Sequence, residues 1–236
     1  MSKKVAILQS NYIPWKGYFD IIASVDEFIF YDEMQYTKND WRNRNKIKTP
    51  NGLHWLSIPV ATKGHLSQDV RIMDAKIVDK KWANSHWNTI KQFYKKAPYF
   101  KDYADIFEKI YKECEQEEFL CKINYKFIYV INEILGIKTK ISFSQDYDLI
   151  DGKTERLVDL VQKAGGSEYL SGPAAKDYID ENLFRDAGIE LKWMDYSGYP
   201  EYPQLTKPFE HGVSVLDLIF NCGPNVRKYM KGYFNE

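Results

Sequence analysis

Residues Val5 to Pro59 read VAILQSNYIPWKGYFDIIASVDEFIFYDEMQYTKNDWRNRNKIKTPNGLHWLSIP, and the order of elements in this stretch decides the fold class. Val5-Ala6-Ile7-Leu8 is too short for a helix and gives way at once to polar Gln9, Ser10 and Asn11. That is the pattern of a buried parallel strand ending where a ligand-facing loop begins. Pro14 fixes one backbone angle, and Gly17 permits a close chain approach or a positive φ. Phe19, Ile21 and Ile22 supply the apolar positions of a short helix before a second strand, Phe28-Ile29-Phe30-Tyr31. Gln9, Asn11, Tyr12 and Lys16 therefore fall at a strand end and a helix start, where backbone N–H groups favour an anion. With Gly17 they form the first set of candidate substrate-binding residues.

The chain then turns basic and aromatic. Met34 to Lys48 holds Lys38, Arg42, Arg44, Lys46 and Lys48 with Tyr36 and Trp41 interleaved, and Asp40 is its one acid after Glu33. An Arg fork suits phosphate or carboxylate, and Trp or Tyr stacks on a ring. Arg42 and Arg44 are accordingly candidates for holding phosphate; the structural alternative is a solvated loop with two anchored aromatics. Asn51-Gly52 signals a tight turn, so a strand centred on Ile47 is expected to pair with Trp55–Ile58. Thr62-Lys63-Gly64-His65 lacks the glycines and the Lys-Ser/Thr ending of a phosphate-binding loop. It reads as a connector, with Lys63 and His65 able to meet an anion only as a flap.

From Val78 to Leu135 the period changes to helical. Lys80–Lys96 carries an apolar stripe with His86 beside it, Pro98 closes the helix, and Tyr103–Cys114 and Phe119–Leu135 follow, with Gly136 as a C-terminal stop. Alternation then returns: strand Lys140–Phe143, helix Thr154–Lys163, strand Glu168–Ser171, a turn at Gly172-Pro173 into a helix ending near Gly188, and strand Ile189–Met194. This predicts an α/β fold, a mostly parallel sheet flanked by helices with a helical insertion in mid-chain. The expected units are 1–77, 78–137 and 138–236, the first and last forming one compact body. Ser171, at a strand end before a turn, repeats the logic of the opening loop and is a further substrate-binding candidate. Ser214 and Asp217 have capping-box-like spacing, which reads Asp217 as a cap. His86 and His211 are the candidate proton acceptors, since imidazole titrates near working pH.

Composition sets outer bounds. At 236 residues and 44% hydrophobic content the chain can bury a substantial core. Its formal net charge of zero gives no global attraction to nucleic acid. Cys114, Cys121 and Cys222 are odd in number and lack ligand spacing, which points to a reducing compartment. No stretch approaches the roughly 20 apolar residues of a membrane span, so a cytoplasmic protein is expected. No metal motif occurs, and no cofactor is assigned; magnesium carried by a nucleotide remains compatible.

The run ILQSNYIPWKGYFDIIASVDEFIFYDEMQYTKNDWRNRN resembles the opening of the WbqC-like proteins. Trp82 to Phe100, YLSGPAAKDYI and EYPQLTKPFEHGVSVLDLIFNCG extend the likeness over nearly the whole chain. The resemblance implies a bacterial enzyme of surface-polysaccharide (O-antigen-type) biosynthesis, with a nucleotide-linked or lipid-linked sugar as partner. The leading expectation is acyl or aminoacyl transfer from an activated donor to the amine of an amino- or deoxy-sugar. One alternative is nucleotidyl or adenylyl transfer: HIGH-signature nucleotidyltransferases also begin with strand, loop and helix, but Asn11–Phe19 contains no histidine. The other is a non-catalytic sugar-nucleotide binding protein of the same pathway.

Overall fold

The computed structural model describes residues 2–61 and 70–232, so Lys63 and His65 lie outside the described residues. Five parallel strands form the main sheet: β1 (Lys4–Leu8), β2 (Glu27–Phe30), β5 (Lys140–Phe143), β6 (Glu168–Ser171) and β7 (Glu190–Trp193). Their order is β5-β2-β1-β6-β7. β3 (Arg44–Thr49) and β4 (Gly52–Ser57) form a separate antiparallel hairpin, with Ile47 opposite His54.

Period-two alternation explains why both faces of the sheet are covered. Ala6, Phe28 and Phe30 enter one core with α1 (Lys16–Ala23), α2 (Trp82–Tyr94), α3 (Phe100–Cys114), α4 (Leu120–Leu135) and α7 (Val215–Cys222). Val5, Ile7, Ile29 and Tyr31 enter the other with α5 (Thr154–Lys163) and α6 (Glu181–Asp186). The mid-chain helices share the first core with the sheet: Phe107, Ile123 and Phe127 are fully buried in the same cluster as Phe19 and Phe28. Gly136 ends α4 in the left-handed region at φ 69°, as a C-terminal glycine should.

Two expectations need correction. Gly172-Pro173 does not open one helix to Gly188. A 3-10 turn spans Pro173–Asp177, and Asp180 then caps α6 afresh by accepting from the Asn182 N–H. Asp217 is not a cap. Ser214 caps α7 by accepting from the Leu216 N–H, while the buried Asp217 carboxylate accepts from Tyr94 and Gln204 at 2.7 and 2.9 Å.

Numbered along the sheet, the strand order becomes 3-2-1-4-5, and connections leave in opposite directions on either side of β1. The reversal lies between β1 and β6. There the ladder is short: Lys4 and Val5 pair with Glu168 and Tyr169, whereas β1 stays paired with β2 through Leu8. Beyond Tyr169, β6 follows β7 instead, up to Ser171 opposite Trp193. The sheet splits at its carboxyl end, which is where open α/β sheets bind ligands.

Candidate functional site

The split opens a crevice of about 650 Å³. Its floor is the end of β1 and β6, with Ile7, Leu8 and Tyr169. Gln9, Asn11 and Arg42 form one wall, Ser171 and Gly172 another, and Lys153 and Arg156 face them from the start of α5. Three cations thus converge on one cavity with no carboxylate among its described lining residues. Tyr31 and Tyr178 add ring faces, the latter 61% exposed.

The cations are held in place. Arg42 donates from both terminal nitrogens, to Asn11 Oδ1 at 2.8 Å and Gln9 Oε1 at 2.7 Å. Both acceptors are neutral amides, and Asp40, the near acid, stands 3.8 Å away. The two amides fix the guanidinium in place, and the ion pair with Asp40 at this longer distance offsets its charge only in part. Arg156 donates to the Ile150 carbonyl at 2.5 Å and to the Tyr31 hydroxyl at 3.3 Å. Burial pushes the Tyr31 phenol up, and Arg156 acts against that shift.

A buried network sets the loop behind Arg42. Asp32 accepts from the Ser10 N–H and the Tyr125 hydroxyl, both at 2.8 Å. Burial raises the Asp32 carboxyl, opposed by these hydrogen bonds and by Arg42. Asn124 donates to Ser10 Oγ and to the Arg42 carbonyl. Asn45 donates to the Tyr12 and Ile13 carbonyls at 3.1 and 2.9 Å. Ile13 itself has φ 36°, a strained angle for a β-branched residue. Among the described residues, no cluster of three or more His, Cys, Asp or Glu side chains is arranged to hold a metal.

The sequence pattern that defines the WbqC-like protein family matches residues 9–229. The chain belongs to that family. It is also 50% identical over 229 residues to Uncharacterized protein Rv1507c of Mycobacterium tuberculosis (strain ATCC 25618 / H37Rv), covering 97% of this chain and 98% of that one. No solved structure matches it. No helix among the described residues is long and apolar enough to cross a membrane.

In this WbqC-like chain, four of the sequence-derived candidates meet in the crevice: Gln9, Asn11, Arg42 and Ser171. Ser171 is nearly buried, and the turn after it is a five-residue 3-10 segment, too short to provide a helix N-terminus. Lys153 and Arg156 were not singled out by sequence reading. Arg156 sits beside core residue Leu157 in an ordinary amphipathic helix, and only the pairing of β6 beside β1 brings it opposite Arg42.

The remaining candidates lie elsewhere. Tyr12 and His86 are core residues; the Tyr12 hydroxyl bonds His86 Nδ1 at 2.9 Å and the Tyr111 hydroxyl at 2.7 Å. Burial holds the His86 imidazole down at about 4, so it is neutral at ordinary pH. Tyr12→Phe is expected to lower stability by about 1 kcal/mol, because the Tyr111 hydroxyl and His86 Nδ1 both lose the hydroxyl they share. Crevice ligands should bind the variant unchanged, as urea melts and calorimetry would establish.

Lys16 is 2% exposed and points to the Pro200 carbonyl and the Tyr199 ring, away from the crevice; burial lowers its amine to about 8. His211 packs on Phe209 and Tyr199 with Nδ1 buried and unpaired among the described residues, while the Glu210 carboxylate accepts from the Gly212 N–H instead. Burial, then the nearby Lys16 charge, lowers the His211 imidazole. Arg44 stacks on Trp55 with its Cζ 4.2 Å from the ring centre.

Gly17 serves packing. A Cβ there would come within 2.3 Å of the Trp15 indole, so the glycine lets Trp15 fold over the start of α1. Gly17→Ala is expected to cost about 2 kcal/mol through this overpacking. A thermal melt within a few tenths of a degree of the parent would overturn that account.

Proposed function

We propose that this chain is an enzyme of surface-polysaccharide assembly that binds a nucleotide-linked sugar by its diphosphate in the β1/β6 crevice. Acyl or aminoacyl transfer to the sugar amine is the reaction proposed. One observation carries the binding half: Arg42, Lys153 and Arg156 converge on one cavity that no described carboxylate lines. Two phosphates require that density of positive charge and bidentate donors. The position at the reversal of strand order supports the same reading, and Tyr31 or Tyr178 offers a face to a base. The transfer half rests on the association with surface-polysaccharide synthesis that the resemblance to WbqC-like proteins implies. His86 and His211 have structural roles in this proposal, since neither lines the crevice.

Nucleotidyl transfer is the second reading. It is favoured by the 3-2-1-4-5 order with the ligand loop directly after the first strand. There Arg42 and Arg156 would stabilise the charge of the transferring phosphoryl group.

Calorimetry with nucleoside diphosphates and nucleotide-linked aminosugars, then mass spectrometry after adding acyl or aminoacyl donors, tests the proposal. Saturable nucleotide binding and a donor-dependent mass gain on the sugar are expected. Pyrophosphate release from a nucleoside triphosphate would select the second reading. Binding without turnover by any donor would reduce the protein to a nucleotide-sugar binder, and no binding at all would overturn both readings.

A further inference from the structure

A second cavity, of about 310 Å³, lies on the other side of the loop that carries Arg42. Pro14 and Trp15 form its back, Trp41 its open side, and Asn45, Lys46 and Gly212 complete it. Asn11 lines this cavity as well as the crevice, so one side chain is the partition between them. Asn11 Oδ1 is committed to Arg42, and its amide NH2 makes no hydrogen bond among the described residues.

Three features mark this cavity as a place for a ligand. Trp41 and Trp55 are 43% and 41% exposed, an unusual outlay of indole surface for a pair that could have packed inward. Their rings lie 5.6 Å apart, inclined by 35°; Trp41 lines the cavity and Trp55 packs beside it. The Lys46 ammonium stands 5.8 and 5.7 Å from the two ring centres, and it takes part in none of the ion pairs among the described residues. Arg44 backs Trp55 from one face and keeps a buried Nε with no hydrogen-bond partner among the described residues. Two cations, Arg44 and Lys46, therefore flank the paired indoles.

We infer that this cavity is a sugar subsite, taking a pyranose that carries an anionic group, either a carboxylate or a phosphate ester. The C–H face of a pyranose stacks on indole, its hydroxyls match the unused Asn11 amide, and the anion pairs with Lys46. A flat base would stack equally on the indoles, but it carries no charge for Lys46 at that distance from the ring. The small volume also suits one ring better than a whole nucleotide. In taking this sugar for the acceptor that meets the crevice-bound donor across Asn11, the inference rests on the crevice reading. Its binding test does not.

Calorimetry or saturation-transfer NMR with glucose 1-phosphate, glucuronate and glucose would test it on the full chain. Parallel titrations with UDP, and melts of each variant, control for the crevice and for folding. Both anionic sugars, or one of them, are expected to bind better than glucose; which one does so identifies the anion. Lys46→Gln should lower that affinity about ten-fold and erase the advantage over glucose. Trp41→Ala should weaken all the sugars, and both variants should leave UDP binding unchanged. Anionic-sugar binding that survives both substitutions, or that is absent while UDP still binds, overturns the subsite and leaves the crevice reading standing. Sugar binding that responds to both variants in a protein that binds no UDP supports the subsite and removes the crevice reading. Neither ligand binding overturns both.

Discussion

Arg42→Ala is expected to weaken nucleoside diphosphate binding about 100-fold, close to 2.7 kcal/mol, while Arg44→Ala leaves it unchanged. The two arginines are two positions apart, and sequence alone offers no way to rank them. Their surroundings do. The Arg42 guanidinium is spread between Asn11 and Gln9 at the crevice wall, so its loss removes a fixed charge and releases both amides. Arg44 is stacked on Trp55, outside the crevice. Arg42→Lys should recover only part of the loss, because an ammonium cannot bridge two amide oxygens as the planar fork does. Isothermal titration at two salt concentrations measures both effects, and the parent should show the steeper salt dependence. Equal losses for the two alanine variants would dismiss the crevice as the anion site.

At the opposite end of the sheet, Glu27→Gln is expected to cost roughly 2–3 kcal/mol at neutral pH. Glu27 is fully buried in β2 and accepts from Lys3 at 2.7 Å, Ser142 at 2.6 Å, Tyr147 at 2.8 Å and Lys140 at 3.1 Å. These groups bind β1, β2 and β5 together where the sheet begins. Lys3 and Lys140 are partly exposed and regain water when the carboxylate goes, so the cost falls below that of a fully buried pair. Burial disfavours the charge, but the four donors outweigh it and hold the carboxyl down at about 2, against an ordinary 4.5. A depressed carboxyl contributes its full stability above the unfolded value and loses it as pH falls through the folded one. The difference in urea midpoint between parent and variant should therefore be flat above about 4.5 and shrink toward pH 2. A difference that does not change over that interval would assign the stability to packing alone.

Much of this architecture is written locally. Val5–Leu8 followed by Gln9, the Asn51-Gly52 turn and Gly136 after α4 are short-range patterns, and each appears where the chain pattern puts it, although the hairpin's second strand is Gly52–Ser57, with Ile47 opposite His54, and not Trp55–Ile58. Side-chain direction is not local. Tyr12 and Asn11 are neighbours in one loop, yet one is sealed in the core against His86 and Tyr111 while the other divides two cavities. Period alone cannot tell them apart in a loop that has no period. Arg156 shows the other limit. Nothing in its helix distinguishes it, and it meets Arg42 only because β6 is inserted beside β1, a pairing that many intervening residues must fold to allow. The break after Pro173 was similarly hidden, since Asp180 caps a new helix at a point where the apolar spacing continues.

The unusual backbone angle at Ile13 bears on how ligands arrive. A glycine would adopt φ 36° without strain, but it would also leave the loop many other shapes to visit. The isoleucine, fully buried and with its carbonyl tied to Asn45, commits the chain to one shape as soon as the core closes. The entropic cost of fixing Gln9 to Pro14 thus falls on folding and is absent from association. On the proposed crevice reading an incoming anion would meet a finished surface, and the speed of its capture would be set by diffusion and the pull of the three cations.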